Sequence, residues 1–388
     1  MKIKVIEVIT DTNIGGAGRL LLCRLRQTDR ETFEETVVIP QGSALTQCID
    51  ELGINCIPMN CCFDRSFDIR GIFHLYKIFK THSVDIVNAH GCLSARIAAY
   101  LAKVPVKIYT RHCAFKPRFL MTVFPLKNIS GFVTRKLNDK IIAVADAAAE
   151  NLKQMGVRED MIKVIINGVM PIERYESERK RLTRKELGVP EDAFVCGMSA
   201  RLEECKGIDT LLRAAQRLLL NDKNYYFMIL GSGSCEKSLK ELCARLCISD
   251  KVKFFGFVSN ITPYINCFDL VVNCSRGTET SSLALSEGMS ISLPCVVSDW
   301  GGNPYMVFDG VNGLVFRTDN YLQLTSKIEY MKNNDAEYRR MAENAYFRFK
   351  NELNAENMAR KTEEFYSSLF LAKGCRLSEG NIIRDKLN

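Results

Sequence analysis

Along the chain, short runs of β-branched and other apolar residues alternate with segments whose apolar positions recur at helical spacing. In the first half the strand-like runs are Ile3 to Ile9, Thr36 to Pro40, Asp85 to Ala89, Lys107 to Thr110, Lys140 to Ala145 and Lys163 to Ile166. Helical patterns such as Leu93 to Ala102 and Ala147 to Met155 follow several of them. This alternation predicts an α/β fold with parallel strands joined by crossover helices. From Tyr175 to Asp192 the chain turns strongly charged and loses its apolar runs, and then the alternation restarts. Strands are expected over Phe194 to Ser199, Tyr226 to Leu230, Val252 to Phe255, Leu270 to Asn273, Cys295 to Ser298 and Leu314 to Phe316. After Phe316 only helical patterns remain, Leu322 to Met331, Glu337 to Phe349 and Asn354 to Leu369. The expected organisation is two Rossmann-like domains, residues 1–170 and 193–350, joined by a linker over 171–192. A helix over 351–371 packs back toward the first domain, and 372–388 is a polar tail.

Composition narrows the class. The 388 residues are 47% apolar and 25% charged with ten prolines, which suits a chain that buries a full core and excludes disordered or collagen-like sequences. The net charge of +8 is unevenly placed: residues 1–170 hold 23 basic and 16 acidic side chains, the remainder 30 and 29. Within the first half, Lys103 to Lys140 contains nine basic residues and the single acid Asp139, a local excess that points to an anionic partner.

Sixteen cysteines would mean a disulfide framework in a short secreted chain, but this one is long, and Glu7 interrupts the amino-terminal run where a signal peptide needs an apolar core. No Cys-x-x-Cys occurs, and the four histidines (74, 82, 90 and 112) are not spaced with cysteines as zinc ligands. Reduced thiols such as Cys196, Cys274 and Cys295 read as small hydrophobes. No apolar run reaches the roughly 18 residues of a spanning helix.

In an open parallel sheet, ligands bind beyond the carboxyl ends of the strands, so the loops after strands carry the chemistry. After the first strand lies Asp11-Thr-Asn-Ile-Gly15-Gly16-Ala-Gly18, whose glycines open the backbone at a helix start to a phosphate. It is not a dinucleotide fingerprint, since Leu21 stands where the third glycine would be. An ordinary tight turn explains it equally well. After the first strand of the second domain, Arg201 and Lys206 can converge on a diphosphate, or be two solvated cations. The third loop runs from Cys274 to Glu287 and on to Gly288-Met289, with Ser281 or Ser282 as helix N-cap. Glu279 and Glu287 at different depths can hold hydroxyls of a sugar and a ribose; the alternative is two surface charges.

Glu279, seven residues, Glu287, Gly-Met and then Pro294-Cys-Val-Val-Ser-Asp-Trp-Gly301-Gly302 resembles the donor-binding signature of the retaining GT-B glycosyltransferases of group 1, which include lipopolysaccharide, capsule and phosphoinositide mannosyltransferases. Gly15-Gly16, Asn88-Ala-His90-Gly, Thr110-Arg-His112, Ile166-Asn167-Gly168-Val, Leu230-Gly-Ser-Gly233 and Phe255-Gly256-Phe257-Val258 fall in that family's order, so the resemblance spans residues 2–370. It implies a GT-B fold with two parallel sheets facing across a cleft, and a hexosyltransferase that retains anomeric configuration. The nucleotide-sugar donor would be bound by Arg201 and Lys206 at the diphosphate, with the Gly15–Gly16 turn and amides near Ser282 and Leu283. Glu287 would take the ribose, Glu279 the transferred sugar, the backbone of Phe257 and Val258 the base, and Asn167 and Gly233 would line the donor site. His112 would act against the donor sugar, with His90 an acceptor-side or supporting residue. The family usually carries Glu three residues after the second glycine, where this chain has Tyr305. No Asp-x-Asp triplet occurs, so transfer is expected to be metal-independent and to need no cofactor.

The acceptor is expected to be a glycan or a lipid-linked molecule in polysaccharide or glycolipid synthesis. Lys116, Arg118, Phe119, Lys127, Arg135 and Lys136 form the candidate surface for an anionic membrane or lipid acceptor, on a cytoplasmic protein held peripherally at the inner face of the membrane. The alternatives are a sugar-nucleotide epimerase on the same fold and a catalytically degenerate scaffold. Nucleic acid is not an expected partner, because no recognition motif accompanies the basic stretch.

Overall fold

The computed structural model describes residues 2–114 and 125–374. Its described residues divide into two compact units, the first formed by residues up to His112 together with 125–168 and 355–374, the second by 113–114 and Val169–Asn354.

The first unit is a seven-stranded, all-parallel sheet in the order β3-β2-β1-β4-β5-β6-β7. Its strands are β1 (Ile3–Ile9), β2 (Phe33–Pro40), β3 (Asn55–Met59), β4 (Ile86–His90), β5 (Val106–Arg111), β6 (Lys140–Ala143) and β7 (Ile162–Val164). Its central strands are apolar on both faces because helices cover both. One face packs Ile6, Val8, Leu75, Ala95 and Ala98 together, and the other packs Ile9, Leu21, Leu25, Val37 and Ile49. The final helix, Ala355–Ala372, belongs to this unit and lies against the helix Gly16–Arg26.

The second unit is a six-stranded parallel sheet in the order β10-β9-β8-β11-β12-β13. Its strands are β8 (Phe194–Ser199), β9 (Tyr225–Leu230), β10 (Val252–Phe254), β11 (Leu270–Asn273), β12 (Cys295–Ser298) and β13 (Gly313–Phe316). Leu211, Leu218, Phe227, Ile229, Val272 and Phe316 are central to its core.

Two features depart from the sequence pattern. Strand β3 went unread because Asn-Cys-Ile-Pro-Met is short and contains Pro58, which a sheet tolerates at its edge, where β3 lies. The charged stretch 171–192 is not simply a linker. It contains the helix Ser177–Glu186, fastened into the second unit by buried Arg184, which donates to the carbonyls of Cys267, Glu191 and Ala193 and to Asp269.

In each sheet the strand order reverses direction once, between β1 and β4 in the first and between β8 and β11 in the second. At such a point the loops leave toward opposite sides and open a crevice beyond the strand ends. The sequence-selected residues concentrate at these two places.

Candidate functional site

At the second switch point, the loop after β11 carries Glu279, 9% exposed. Its Oε2 accepts from Lys206 Nζ at 2.9 Å, Ser275 Oγ at 2.8 Å and Asn273 Nδ2 at 3.3 Å. Its Oε1 accepts from no described group, so the carboxylate is held on one oxygen and open on the other. Lys206 also donates to the carbonyl of Thr278 at 3.2 Å. Arg201, two residues beyond the end of β8, is exposed, and its guanidinium makes no hydrogen bond among the described residues. The arrangement is a charged pair on a neutral support with a free cation on the neighbouring loop, which suits an anion carrying hydroxyls.

The glycines after β12 have a packing reason. Gly302 N–H donates to the Glu279 carbonyl at 3.0 Å, and a Cβ on Gly302 would lie 1.8 Å from the Thr280 carbonyl. Gly301 has a φ of +59° and its Cβ would meet the Glu279 carbonyl at 2.3 Å. A side chain at either place would push the Glu279 loop away from Lys206. Tyr305, where the family usually has Glu, is 42% exposed. The loop is tied instead by fully buried Asn303, whose amide donates to Ser298 Oγ at 3.0 Å and Asn273 Oδ1 at 3.4 Å, while Ser298 Oγ donates to the Ser275 carbonyl.

Of the other donor-side residues, Ser282 is the N-cap of the helix Leu283–Met289 but gives it no side-chain bond. Glu287 is 4% exposed inside that helix, so it is neither a surface charge nor without partners. Gly233 packs against the backbone of Leu202, where a Cβ would fall 2.5 Å from its carbonyl, so its glycine character is explained by that contact. Phe257 is 75% exposed, and Val258 follows it on the loop after β10.

At the first switch point the polar residues are buried and bonded to one another. Glu7, on β1 and fully buried, accepts from Arg24 Nη2 at 2.7 Å, Tyr366 Oη at 2.8 Å and His90 Nε2 at 2.7 Å. Arg24 also donates to Glu35 on β2 at 2.7 Å. Asn88 donates to Tyr366 Oη at 2.8 Å and accepts from Thr110 Oγ1 at 2.8 Å. His90 Nδ1 lies 2.7 Å from His112 Nε2, and the two rings stack with centroids 5.0 Å apart. Burial works against charge at Glu7, but Arg24 and the His90 hydrogen bond overcome it and hold the carboxyl down at about 2. At Glu35 burial prevails over Arg24, and the Glu7 charge adds to it, so the carboxyl is pushed up to about 7. Burial, and then His90, push His112 down to about 3. A small cavity of about 40 Å³ is lined by Asn88, His90, Thr110, His112 and Asn167.

Gly15 and Gly16 contrast with Gly301 and Gly302. Gly15 caps the helix Gly16–Arg26 in extended conformation (φ −83°), and a Cβ on Gly16 would meet nothing within 4 Å. Neither backbone angle nor packing demands glycine there; the two residues leave the helix amino terminus bare.

Sequence reasoning missed Glu7, Arg24, Tyr366, Asn273, Ser275 and Asn303. The available signals were an acid inside the apolar run of β1 and an arginine inside Leu20-Leu-Leu-Cys-Arg24-Leu. On the basic stretch, Lys116, Arg118 and Phe119 lie outside the described residues. Lys127, Arg135 and Lys136 lie on the helix Leu126–Leu137, which exposes Ile129, Phe132 and Val133. Of the cysteines, Cys196, Cys274 and Cys295 are buried, and the described ones are all free thiols. Among the described residues no group of three or more His, Cys, Asp or Glu is arranged to hold a metal, and no helix is long and apolar enough to cross a membrane.

Two parallel, doubly wound sheets, with a charged loop site at the switch point of the second, define the GT-B class of glycosyltransferase. Residues 179–348 match the glycosyl transferases group 1 family, and residues 14–171 match glycosyltransferase family 4. The chain belongs to the glycosyl transferases group 1 family and is a glycosyltransferase. It is 27% identical over 353 residues, 84% of this chain and 91% of the relative, to the UDP-Gal:alpha-D-GlcNAc-diphosphoundecaprenol alpha-1,3-galactosyltransferase of Escherichia coli. A capsular polysaccharide biosynthesis glycosyltransferase, CapM of Staphylococcus aureus, is 21% identical, with 87% of this chain and 91% of the relative covered. The fold is similar to that of Anabaena Alr3699/HepE in complex with UDP, with a TM-score of 0.81 at 22% identity, covering 95% of this chain and 100% of that one.

Proposed function

We propose that the protein transfers a hexose from a uridine diphosphate sugar, with retention, to a glycan or lipid-linked acceptor in polysaccharide or glycolipid synthesis. The observation that carries this is the Lys206–Glu279 pair at the second switch point, fixed through one carboxylate oxygen with the other open, while Arg201 on the loop that carries Lys206 is exposed. Arg201 and Lys206 meet the diphosphate and stabilise the charge that develops on it as the glycosidic bond breaks. Glu279 Oε1 accepts from a hydroxyl of the transferred sugar, Glu287 from the ribose, and the backbone at Phe257 and Val258 faces the base. In the first unit the bare Gly15–Gly16 helix start offers amides to phosphate, and His112 offers a ring nitrogen to the sugar. The uridine base is supported by the donor named for the Escherichia coli relative. Two cations in place of a carboxylate clamp support transfer without a metal.

For the acceptor, Ile129, Phe132 and Val133 are exposed on the helix that carries Arg135 and Lys136, a pattern that fits an anionic lipid surface. The functional reading is tested by supplying UDP-hexoses in EDTA with a lipid-diphosphate-linked sugar and following glycoside formation. A new α-linked product is expected. Nucleotide-sugar isomerisation without any glycoside, or no turnover of any nucleotide sugar, would overturn it.

A further inference from the structure

The buried polar network of the first unit leaves two of its atoms unsatisfied among the described residues, Glu35 Oε2 and His112 Nδ1. His112 Nδ1 is buried and bonded to nothing described, while the His90 and Glu7 atoms in the chain of contacts that leads to it are bonded; Glu35 Oε2 lies beyond Arg24. The hydrogen positions along that chain follow from its far end. Glu7 is ionised, held so by Arg24 and by its hydrogen bonds, and an ionised carboxylate only accepts. His90 Nε2, 2.7 Å from Glu7 Oε2, therefore carries a proton; Asn88, 3.5 Å from the same nitrogen, is the weaker contact. With one proton on each ring, a His90 that donates from Nε2 has a bare Nδ1, and the 2.7 Å contact with His112 Nε2 then requires that nitrogen to donate. His112 stays neutral in its buried place, so its one proton is committed to Nε2 and Nδ1 is a lone pair.

We propose that Glu7 and His90 are positioning residues that hold His112 in its Nε2–H tautomer, so that Nδ1 is a fixed acceptor for a hydroxyl of the transferred sugar. The stacked rings set the orientation of that acceptor, and Arg24 and Tyr366 set the orientation of Glu7 beneath them. A buried acceptor with no protein partner is unfavourable, so a hydroxyl that donates to it is favoured there. The reverse tautomer would present an N–H in the same place and reject that hydroxyl's proton. The sugar contact rests on the donor reading given above for His112; the tautomer does not.

The chain has four histidines, so nitrogen-15 NMR of the histidine-labelled full-length protein, assigned with single His→Gln variants, resolves the tautomer directly. At pH 7.5 His112 should show a protonated Nε2 and a bare Nδ1; a protonated Nδ1 overturns the proposal. The second arm is a double-mutant cycle on transfer from a UDP-hexose. Glu7→Gln should lower kcat/KM roughly 10- to 100-fold in the parent and add little in a His112→Ala background, because both changes remove one interaction. Equal losses in the two backgrounds would make Glu7 merely structural and overturn the positioning role. Should Glu7→Gln fail to fold, His90→Gln enters the same cycle, and the tautomer of the unaltered protein remains decisive. A wild-type protein that turns over no nucleotide sugar but shows the stated tautomer would defeat the donor reading and leave the Glu7–His90–His112 assignment in place.

Discussion

The two switch points share a topology and use charge in opposite ways. At the first, Glu7, Arg24 and Glu35 are buried and bonded to each other, with Tyr366 and His90 filling the remaining positions on Glu7. At the second, Arg201 is exposed and Glu279 keeps one oxygen open. Buried pairs cost desolvation and are destabilising to break, whereas partly committed charges are available to an incoming anion. The first arrangement preserves geometry, and the second leaves charge uncommitted.

The sharpest way to break that comparison is to delete a charge from the buried side. Glu7→Ala should lower unfolding free energy by about 3–5 kcal/mol, as it takes one of two carboxylates from buried Arg24 and the shared acceptor from Tyr366 and His90. Chemical denaturation measures it, and a loss under 1 kcal/mol would show the network to be loosely held. On the open side, Lys206→Ala should lower turnover roughly 10- to 150-fold, the equivalent of one charge-assisted bond. Its cost in stability should be smaller than that of Glu7→Ala, since Ser275 and Asn273 still donate to Glu279. Unchanged turnover would remove Lys206 from the reaction.

A finer test uses pH. Glu35 is raised from 4.5 to about 7, so the folded state holds a proton that the unfolded chain has released between those values. Its stabilising contribution is complete below pH 4.5 and is lost as pH rises toward 7. Glu7 behaves oppositely: its contribution is present above 4.5 and is lost as pH falls toward 2. Glu35→Gln should therefore flatten the stability profile between pH 4.5 and 7 by about 2–3 kcal/mol, read from denaturation midpoints across that range. A profile that keeps its slope would contradict the shared-arginine account. The smallest effect concerns the basic helix: Lys136→Glu should weaken salt-sensitive binding to phosphatidylglycerol vesicles by about 1 kcal/mol. Vesicle binding that neither salt nor this change affects would discard the lipid surface.

Much of the fold was legible because strands of a parallel sheet covered on both faces are nearly continuous apolar runs. Phe194–Ser199, Leu270–Asn273 and Cys295–Ser298 fall on the residues expected of them. The helix Ser177–Glu186 was hidden by its surface charge, and its inward ties, buried Arg184 and Lys180 bonded to Asp269, are not marked by any local spacing. The individual charges at the second site were also legible, but their partnership was not. Lys206 and Glu279 are 73 residues apart, and no local spacing says that they meet. The same holds for Glu7 and Tyr366, 359 residues apart, where the one local sign was an acid in an otherwise apolar strand. Tyr305 is a different case: it stands where the family usually carries a carboxylate, and the loop is fastened from within by Asn303, which no motif singled out.

The most direct test of the central claim, that the second switch point binds the diphosphate of a nucleotide sugar through Lys206 and Arg201, is calorimetric titration of UDP-hexoses in EDTA. The account predicts saturable binding by the wild-type protein, weakened roughly 10-fold or more in both Lys206→Ala and Arg201→Ala. Binding of equal strength in all three proteins, or binding that appears only on addition of a divalent cation, would contradict it.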